Sequence, residues 1–165
     1  MKTEGDAAGP RRRGPTTTKT RRILHPSDFS SASRAAFVRA IATAKAERAE
    51  LLLVHVMIPV IPPPTGDGLV PAQVYDDIER SMRADAQKQL DKLVAEAKAA
   101  RVRVRGILLE GTPADRIVRA ARSYHADVIV IGTHGRMGLA RVFLGSVAER
   151  VVGTAPCPVL TVRGK

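Results

Sequence analysis

The chain has 165 residues, the length of a single domain, and its 44% hydrophobic content is too high for a disordered protein. Aromatic residues make up only 3%, so few rings are present to stack on single-stranded nucleic acid. The net charge of +11 suits a phosphate-bearing ligand and permits loose contact with nucleic acid. The single cysteine, Cys157, excludes an intrachain disulfide, and no apolar run reaches the roughly 18 residues that span a membrane. We therefore expect a soluble, cytoplasmic protein.

Residues 1–20 carry Gly, Pro, Thr and charge without any apolar periodicity, which predicts a disordered tail. Residues 1–22 hold seven basic and two acidic residues, a local charge of +5. The cluster Arg11-Arg12-Arg13 could contact an acidic partner such as nucleic acid, although a solvated run of charge is the simpler explanation.

From Arg21 onward, strand and helix patterns alternate. The β-favouring stretches lie at about 23–26, 51–56, 101–109, 128–131 and 159–162, and the third alternates Arg and Val as edge strands do. Helical patterns lie between them: one capped by Ser30 or Ser31, one over about 72–100, one opening at Thr112 and one opening near Gly145. In the long helix, apolar spacing predicts an inward face of Ile78, Met82, Leu90, Leu93, Val94 and Ala97. Strict alternation predicts an α/β domain over residues 21–165, with a five-stranded parallel sheet and helices on both faces.

In open parallel sheets, ligands bind beyond the carboxyl ends of the strands, where the strand order reverses. Two segments follow predicted strands at such ends: residues 25–30 after the first strand, and residues 132–138 after the fourth. If these two strands are neighbours, the segments face each other across one crevice. We expect any binding site to lie there.

The second segment is rich in glycine and leads into a helix. Gly132, Gly135 and Gly145 allow positive φ and a close approach of backbone N–H groups to an anion. The helix that opens at Gly145-Ser146 offers free N–H groups and the positive end of its dipole. The spacing fits neither G-x-G-x-x-G nor a Walker loop. On glycines alone, a phosphate cradle and a plain loop with a helix cap remain equal alternatives.

The pattern Gly132-x2-Gly135-x9-Gly145-Ser146 resembles the nucleotide-binding motif of universal stress proteins. Residues 22–30, 53–56 and 155–162 resemble the family's opening strand with its acidic turn, its second strand and its closing strand. The likeness covers about residues 21–163. It implies a Rossmann-like fold of the adenine nucleotide alpha hydrolase type, a three-layer sandwich with strand order 3-2-1-4-5. Because the full glycine pattern is present, it also implies the ATP-binding subclass.

The resemblance assigns roles around a bound ATP. Asp28 matches an acidic residue near the adenosine, although it could instead cap the following helix. Val56 matches a position whose backbone pairs with the edge of the adenine, and Ile131 matches one that packs near the base. Both of these apolar residues would also suit the core. Arg136 could pair with phosphates, and Mg²⁺ would arrive with the nucleotide. The complete set of implied site residues is Pro26, Ser27, Asp28, Val56, Ile131, Gly132, Thr133, His134, Gly135, Arg136, Gly145, Ser146 and Val147.

The function implied is nucleotide-dependent regulation in a stress response. No residue pattern positions an attacking water, so we expect slow or no ATP hydrolysis and assign no catalytic residue. Two alternatives stay open: a small adenine-nucleotide-dependent enzyme of the hydrolase type, and a nucleic-acid-associated protein acting through the basic tail. The resemblance further implies a homodimer that pairs along the last strand, Val159 to Val162.

Overall fold

A computed structural model describes residues 20–61, 71–133 and 145–164 of the chain. Residues 1–19 of the predicted tail lie outside this description. Within the described ranges, strands and helices alternate as the sequence predicts. The strands are β1 (Arg22–Pro26), β2 (Glu50–Met57), β3 (Arg103–Glu110), β4 (Val128–Gly132) and β5 (Val159–Val162). The helices are α1 (Ser31–Glu47), α2 (Ala72–Ala99), α3 (Pro113–Ser123) and α4 (Ser146–Thr154).

The five strands form one parallel sheet of order β3-β2-β1-β4-β5. The strand order implied by the family resemblance is therefore confirmed. Leu24 in the centre of β1 pairs with Leu52 of β2 on one side and with Ile129 of β4 on the other. β3 and β5 are the two edges, so the Arg-alternating strand lies at an edge as expected.

Apolar side chains alternate between the two faces of the sheet and build two cores. On one face, Ile23, Leu51 and Val130 pack with Phe37 of α1 and Leu90 of α2. On the other face, a second buried cluster joins the sheet to α3 and α4 and contains Leu24, Leu52, Val54, Ile129, Ile131, Ile117 and Val151. Complete burial of one such aliphatic side chain contributes about 1.5–3 kcal/mol. Because both faces are covered, the central strands β2 and β4 are nearly continuous apolar runs.

The inward face predicted for α2 is only partly correct. Leu90 and Ala97 are buried, but Ile78 and Met82 are each 42% exposed. The reason is length: α2 has 28 residues, about 42 Å of helix, whereas the 8 residues of β3 span only about 26 Å. The amino-terminal turns of α2 therefore extend past the sheet that would bury them.

No helix in the described ranges combines the length and the apolar character that a membrane span needs.

Candidate functional site between the carboxyl ends of two central strands

The strand order reverses between β1 and β4, and the two strands separate there. They pair at Ile23 with Val128 and at Leu24 with Ile129. The chain then leaves β1 for α1 on one face of the sheet, while α4, which follows β4, packs on the other face. Divergent connections at neighbouring strands open a crevice, the usual ligand position in sheets of this kind. The sequence argument required β1 and β4 to be neighbours, and the strand order confirms that they are.

The first wall is the turn that joins β1 to α1. Pro26 ends β1 and is buried, and the backbone N–H of Ser27 donates to the carbonyl of Val54 at 2.8 Å. The Ser27 hydroxyl is buried, shares a hydrogen bond with the hydroxyl of Ser33 at 2.8 Å, and accepts from the N–H of Phe29 at 3.2 Å. These bonds fix the turn to β2 and to the first turn of α1.

Asp28 does not cap α1. Its Oδ1 accepts from the N–H of Ser30 at 3.0 Å, an Asx turn, while Ser30 itself is the cap and accepts from the N–H of Ser33 at 3.2 Å. The Asp28 side chain is half-buried. The alternative explanation of Asp28 as the cap is therefore wrong, and its carboxylate is held in the wall of the crevice by the turn.

Phe29 and His55 form a contact beside Asp28 that the sequence did not indicate. Phe29 has φ 64°, a left-handed conformation that is strained for a bulky residue. Its ring stacks on the imidazole of His55 with centroids 4.3 Å apart, and His55 Nδ1 donates to the carbonyl of Ser27 at 2.7 Å. The stack and the hydrogen bond together hold the strained turn in place. Neither residue type nor spacing signals a positive φ at a phenylalanine.

Val56 supplies a backbone edge to the crevice. Successive residues of a strand direct their backbone N–H and C=O groups to opposite sides. The Val54 carbonyl accepts from Ser27 next to β1, whereas the Met57 carbonyl accepts from the N–H of Gly111 on the β3 side. Val56 therefore faces the β1 side, beyond the last pair of those strands, Pro26 with Val54. Its side chain packs against the α3–α4 core.

The second wall is the end of β4 and the start of α4. Ile131 is buried in the α3–α4 core, and Gly132 is the last residue of the strand. The N–H of Thr133 donates to the carbonyl of Val162 in β5 at 2.9 Å. The carbonyl of Thr133 accepts from the N–H of Gly145 at 2.6 Å. This bond brings the two ends of the 134–144 segment together. His134, Gly135 and Arg136 lie outside the described residues.

The two glycines of the motif that the structure describes, Gly132 and Gly145, do not adopt the positive φ that glycine allows. Gly145 has φ −57°, and among the described glycines only Gly111 has a positive φ. Gly132 serves a different purpose: a Cβ there would lie 2.9 Å from the carbonyl oxygen of Ala32 and 3.1 Å from the N of Ser33. The absent side chain lets the start of α1 pack directly on the end of β4.

The start of α4 provides hydrogen-bond donors. Gly145 is its N-cap, and no side-chain hydrogen bond caps the helix. The first N–H groups of a helix have no partner within it and carry its positive dipole end. Ser146 is exposed and Val147 is half-buried against the α3–α4 core. Glu149 lies in the same first turn and offsets part of the positive field.

His25 lies within the sheet and is fully buried. Its Nδ1 donates to the carbonyl of Val130 at 2.8 Å, but its Nε2 has no hydrogen-bond partner among the described residues. Burial lowers the pKa of His25 from 6.5 to about 4, against the opposing effects of the Val130 carbonyl and the Asp28 charge. The ring is therefore neutral at pH 7 and serves the core rather than acid–base chemistry.

The described residues thus bring together two walls with different chemistry. One presents the Asp28 carboxylate and the Val56 backbone, and the other presents the amino terminus of α4. A group of three or more His, Cys, Asp or Glu side chains able to hold a metal does not occur among the described residues. The arrangement can accept hydrogen bonds from a ligand at one end and bind an anion at the other.

The sequence matches the universal stress protein family (Usp) over residues 19–163. It is 38% identical over 144 residues to universal stress protein MJ0531 of Methanocaldococcus jannaschii, covering 87% of this chain and 82% of that protein. The solved structure of the hypothetical protein MJ0577 superposes with a TM-score of 0.76 at 26% identity, covering 90% of this chain and 99% of the other.

Two further structures share the fold at lower identity. A universal stress protein in complex with cAMP has a TM-score of 0.64 at 24% identity and covers 90% of this chain and 100% of its own. A universal stress protein family protein from Arabidopsis thaliana with AMP bound has a TM-score of 0.65 at 20% identity, covering 88% of this chain and 92% of its own. The family match extends over nearly all of the sheet and helices described above. The chain belongs to the universal stress protein family.

Proposed function

We propose that the chain binds an adenine nucleotide, ATP, in the crevice between β1 and β4 and acts as a nucleotide-dependent regulator in a stress response. One observation carries this proposal. The strand reversal places the Asp28 turn and the β1-side backbone edge of Val56 on one wall, and the start of α4, which no side chain of the described residues caps, on the other. An acceptor and a backbone edge suit a nucleoside, whereas helix N–H groups suit phosphates.

The nucleoside belongs at the β1 wall. The Asp28 carboxylate would accept from ribose hydroxyls or from the adenine amino group, and the Val56 backbone would pair with the edge of the base. The phosphates would lie towards Gly145, Ser146 and Val147, where the helix dipole favours negative charge. Mg²⁺ would then be held through the phosphates and water, as this ion commonly is.

The side chains of the same two walls also predict slow or absent hydrolysis of ATP. The β1 wall of the crevice offers one carboxylate among the described residues, Asp28, and that group already accepts from Ser30. The neighbouring His55 is engaged with the Ser27 carbonyl and the Phe29 ring. A side chain placed to activate water needs to be directed at the phosphates, and Asp28 lies at the nucleoside end. We therefore propose a binding protein rather than a fast enzyme.

The fold of this chain accommodates adenine nucleotides in other proteins. Structures of the same fold carry cAMP and AMP, as their names state. These complexes support the adenine-nucleotide class and do not distinguish ATP from a monophosphate. A titration with adenosine, AMP, cAMP and ATP is needed to rank the ligands.

The first test is isothermal titration calorimetry on Asp28→Asn. The amide keeps an oxygen that can accept from Ser30 N–H, so the turn is preserved while the negative charge is lost. Hydrogen bonds to charged groups contribute about 1.5–3 kcal/mol, so affinity for both adenosine and ATP should fall roughly ten- to hundredfold. Unchanged affinity for both ligands would contradict the placement of the nucleoside at Asp28.

Ser146→Ala tests the phosphate end separately. It removes one hydroxyl donor to the charged phosphates, so the affinity for ATP should fall roughly ten- to hundredfold while adenosine binds as before. The matched control is Ser81→Ala, because Ser81 is exposed on α2 away from the crevice. Equal losses for ATP and adenosine at Ser146 would indicate a general disturbance of the site and remove the case for phosphates at α4.

The homodimer is a separate proposal. β5 forms one edge of the sheet, and Leu160 in its centre is 37% exposed. An uncovered edge strand with apolar side chains tends to pair with another strand. We propose that two copies pair antiparallel along β5, related by a twofold axis.

A further inference from the structure

A groove of about 660 Å³ lies at the opposite end of the sheet from the crevice, where strands begin and helices end. It crosses the starts of four adjacent strands in the order β3, β2, β1 and β4. We call it the basic groove. Its lining residues are Thr20, Arg21, Arg22, Arg48, Glu50, Arg103, His125 and Asp127.

Positive charge is in excess in the basic groove, with four arginines against two carboxylates. Both carboxylates are engaged: Asp127 Oδ2 accepts from the backbone N–H groups of Arg21 and Arg22 at 2.7 and 2.8 Å. Glu50 contacts Arg22 at 3.8 Å and Arg105, beside the groove, at 3.4 Å. Within the described part of the chain, the guanidinium groups of Arg21 and Arg48 have no acidic partner, so they can bind an external anion.

The residues that follow the helices at this end of the sheet give an independent observation. Four non-glycine residues of the described chain have positive φ, and three of them are basic residues that follow helices. Arg48 (φ 54°) after α1 and His125 (φ 50°) after α3 line the basic groove, and Arg101 (φ 62°) after α2 stands two positions before Arg103 of the lining. Glycine is the usual residue in this conformation, and any other residue is strained by about 1–2 kcal/mol. Basic side chains therefore occupy three strained backbone positions.

Attraction to the helix dipole does not account for this choice. The last turns of the same helices already contain Lys45, Lys98 and Arg122, where a cation interacts with the dipole without strain. Just beyond them, Arg48 and Arg101 instead add cations, and His125 adds an imidazole, at the strand-starting end of the sheet. Strained residues that accumulate one kind of charge at one surface point to a binding function.

We propose that the basic groove binds the phosphate backbone of duplex nucleic acid without reading its sequence. Four neighbouring strands span about 14 Å, comparable to about four base-pair steps at 3.4 Å each. Arginine pairs with phosphate through two parallel hydrogen bonds. Among the described residues, the lining contains no large apolar side chain to enter a lipid layer, and no Phe, Tyr or Trp to stack on single strands. The chain also continues from Thr20 towards Lys19 and the arginines at 11–13.

The test uses the full chain and a fluorescently labelled duplex DNA of about 20 base pairs, measured by anisotropy between 50 and 200 mM salt. The triple variant Arg48→Gly, Arg101→Gly, His125→Gly replaces strained residues with the residue that their conformation favours. Its melting temperature should therefore stay within a few degrees of the wild type. Its affinity for DNA should fall roughly ten- to hundredfold, and the slope of log K against log salt should shrink by about 2.

Two control variants locate the effect. Arg39→Gln with Arg119→Gln removes the same two formal charges from exposed positions on α1 and α3 and should leave the salt slope nearly unchanged. Arg11→Gln with Arg12→Gln and Arg13→Gln removes tail charge and should leave measurable binding through the groove. Binding that is lost with the tail variant and unaffected by the glycine variant would overturn the proposal.

Three further outcomes would overturn it as well. The first is the absence of any binding to the duplex at 50 mM salt. The second is equal weakening by the Arg39 and Arg119 control, which would indicate net charge rather than a groove. The third is tighter binding to vesicles of anionic phosphatidylserine than to DNA, which would identify a membrane surface as the partner. Retained DNA binding at millimolar ATP is expected, because the crevice lies at the other end of the strands.

Discussion

His25 shows how a single buried residue makes stability depend on pH. It is neutral in the folded chain because burial lowers its pKa to about 4 from the ordinary 6.5. Between these values the unfolded chain binds a proton that the folded chain does not. Its contribution to stability is therefore complete above pH 6.5 and is lost as the pH falls towards 4. The expected loss is on the order of 3 kcal/mol, measurable by urea unfolding between pH 7.5 and 4.5.

His25→Gln isolates this effect, since an amide can still donate to the Val130 carbonyl but does not titrate. The variant should be less stable at pH 7 and should lose most of the decline in stability between pH 6.5 and 4.5. His125→Gln is the control because His125 is exposed, and it should retain the wild-type decline. A decline that persists in full in His25→Gln would show that other groups cause it.

Individual residues also show where inference from the sequence ends. Ser30 as a cap and Pro113 at the start of α3 were predictable, because each residue type suits one position of a helix. The stack of Phe29 on His55 was not, because it depends on a strained backbone and on two strands being neighbours. The role of Gly132 was assigned to an anion, whereas the structure shows it in contact with α1.

At the scale of elements, the packing of α1 on β4 depends on that glycine. Gly132→Ala would place a methyl group 2.9 Å from the carbonyl oxygen of Ala32, a backbone atom that can move only with the helix. We expect a loss of about 1–3 kcal/mol in the free energy of unfolding. Gly153→Ala is the matched control: Gly153 lies in α4 with nothing within 4 Å of its virtual Cβ, so alanine should stabilise by about 0.5–1 kcal/mol.

Denaturant unfolding of both variants measures the difference directly. A Gly132→Ala protein as stable as the wild type would show that α1 can shift at no cost in free energy. The close approach of α1 to β4 would then not contribute to stability. The elements themselves were predictable from periodicity, as the five strands show. The exposure of Ile78 and Met82 was not, because helical spacing identifies a face but not how far the sheet beneath it extends.

At the scale of the whole molecule, alternation of strands and helices predicts a parallel sheet with two covered faces. It does not fix the strand order, which came from the family resemblance and is confirmed. That order decides the distribution of function. It opens the crevice at the carboxyl ends of β1 and β4, gathers arginines at the opposite ends, and leaves β5 as an edge. The nucleotide, the proposed nucleic acid and a second copy would therefore each use a different surface.

The edge strand gives the prediction for assembly. The Pro158 carbonyl accepts from the N–H of Ile129 in β4, and the Val162 carbonyl accepts from the N–H of Thr133. The backbone groups of alternate residues of β5 therefore face β4, and Thr161, which lies between such residues, directs its N–H outward. Thr161→Pro removes that donor from the free edge without removing a bond to β4, and proline is tolerated at such positions.

Light scattering at micromolar concentration should give twice the monomer mass for the wild type and for Thr161→Val, which keeps the N–H. Thr161→Pro should give the monomer mass at a similar melting temperature. A monomeric wild type would contradict the dimer, whereas a dimeric Thr161→Pro would show that the copies associate through a surface other than β5.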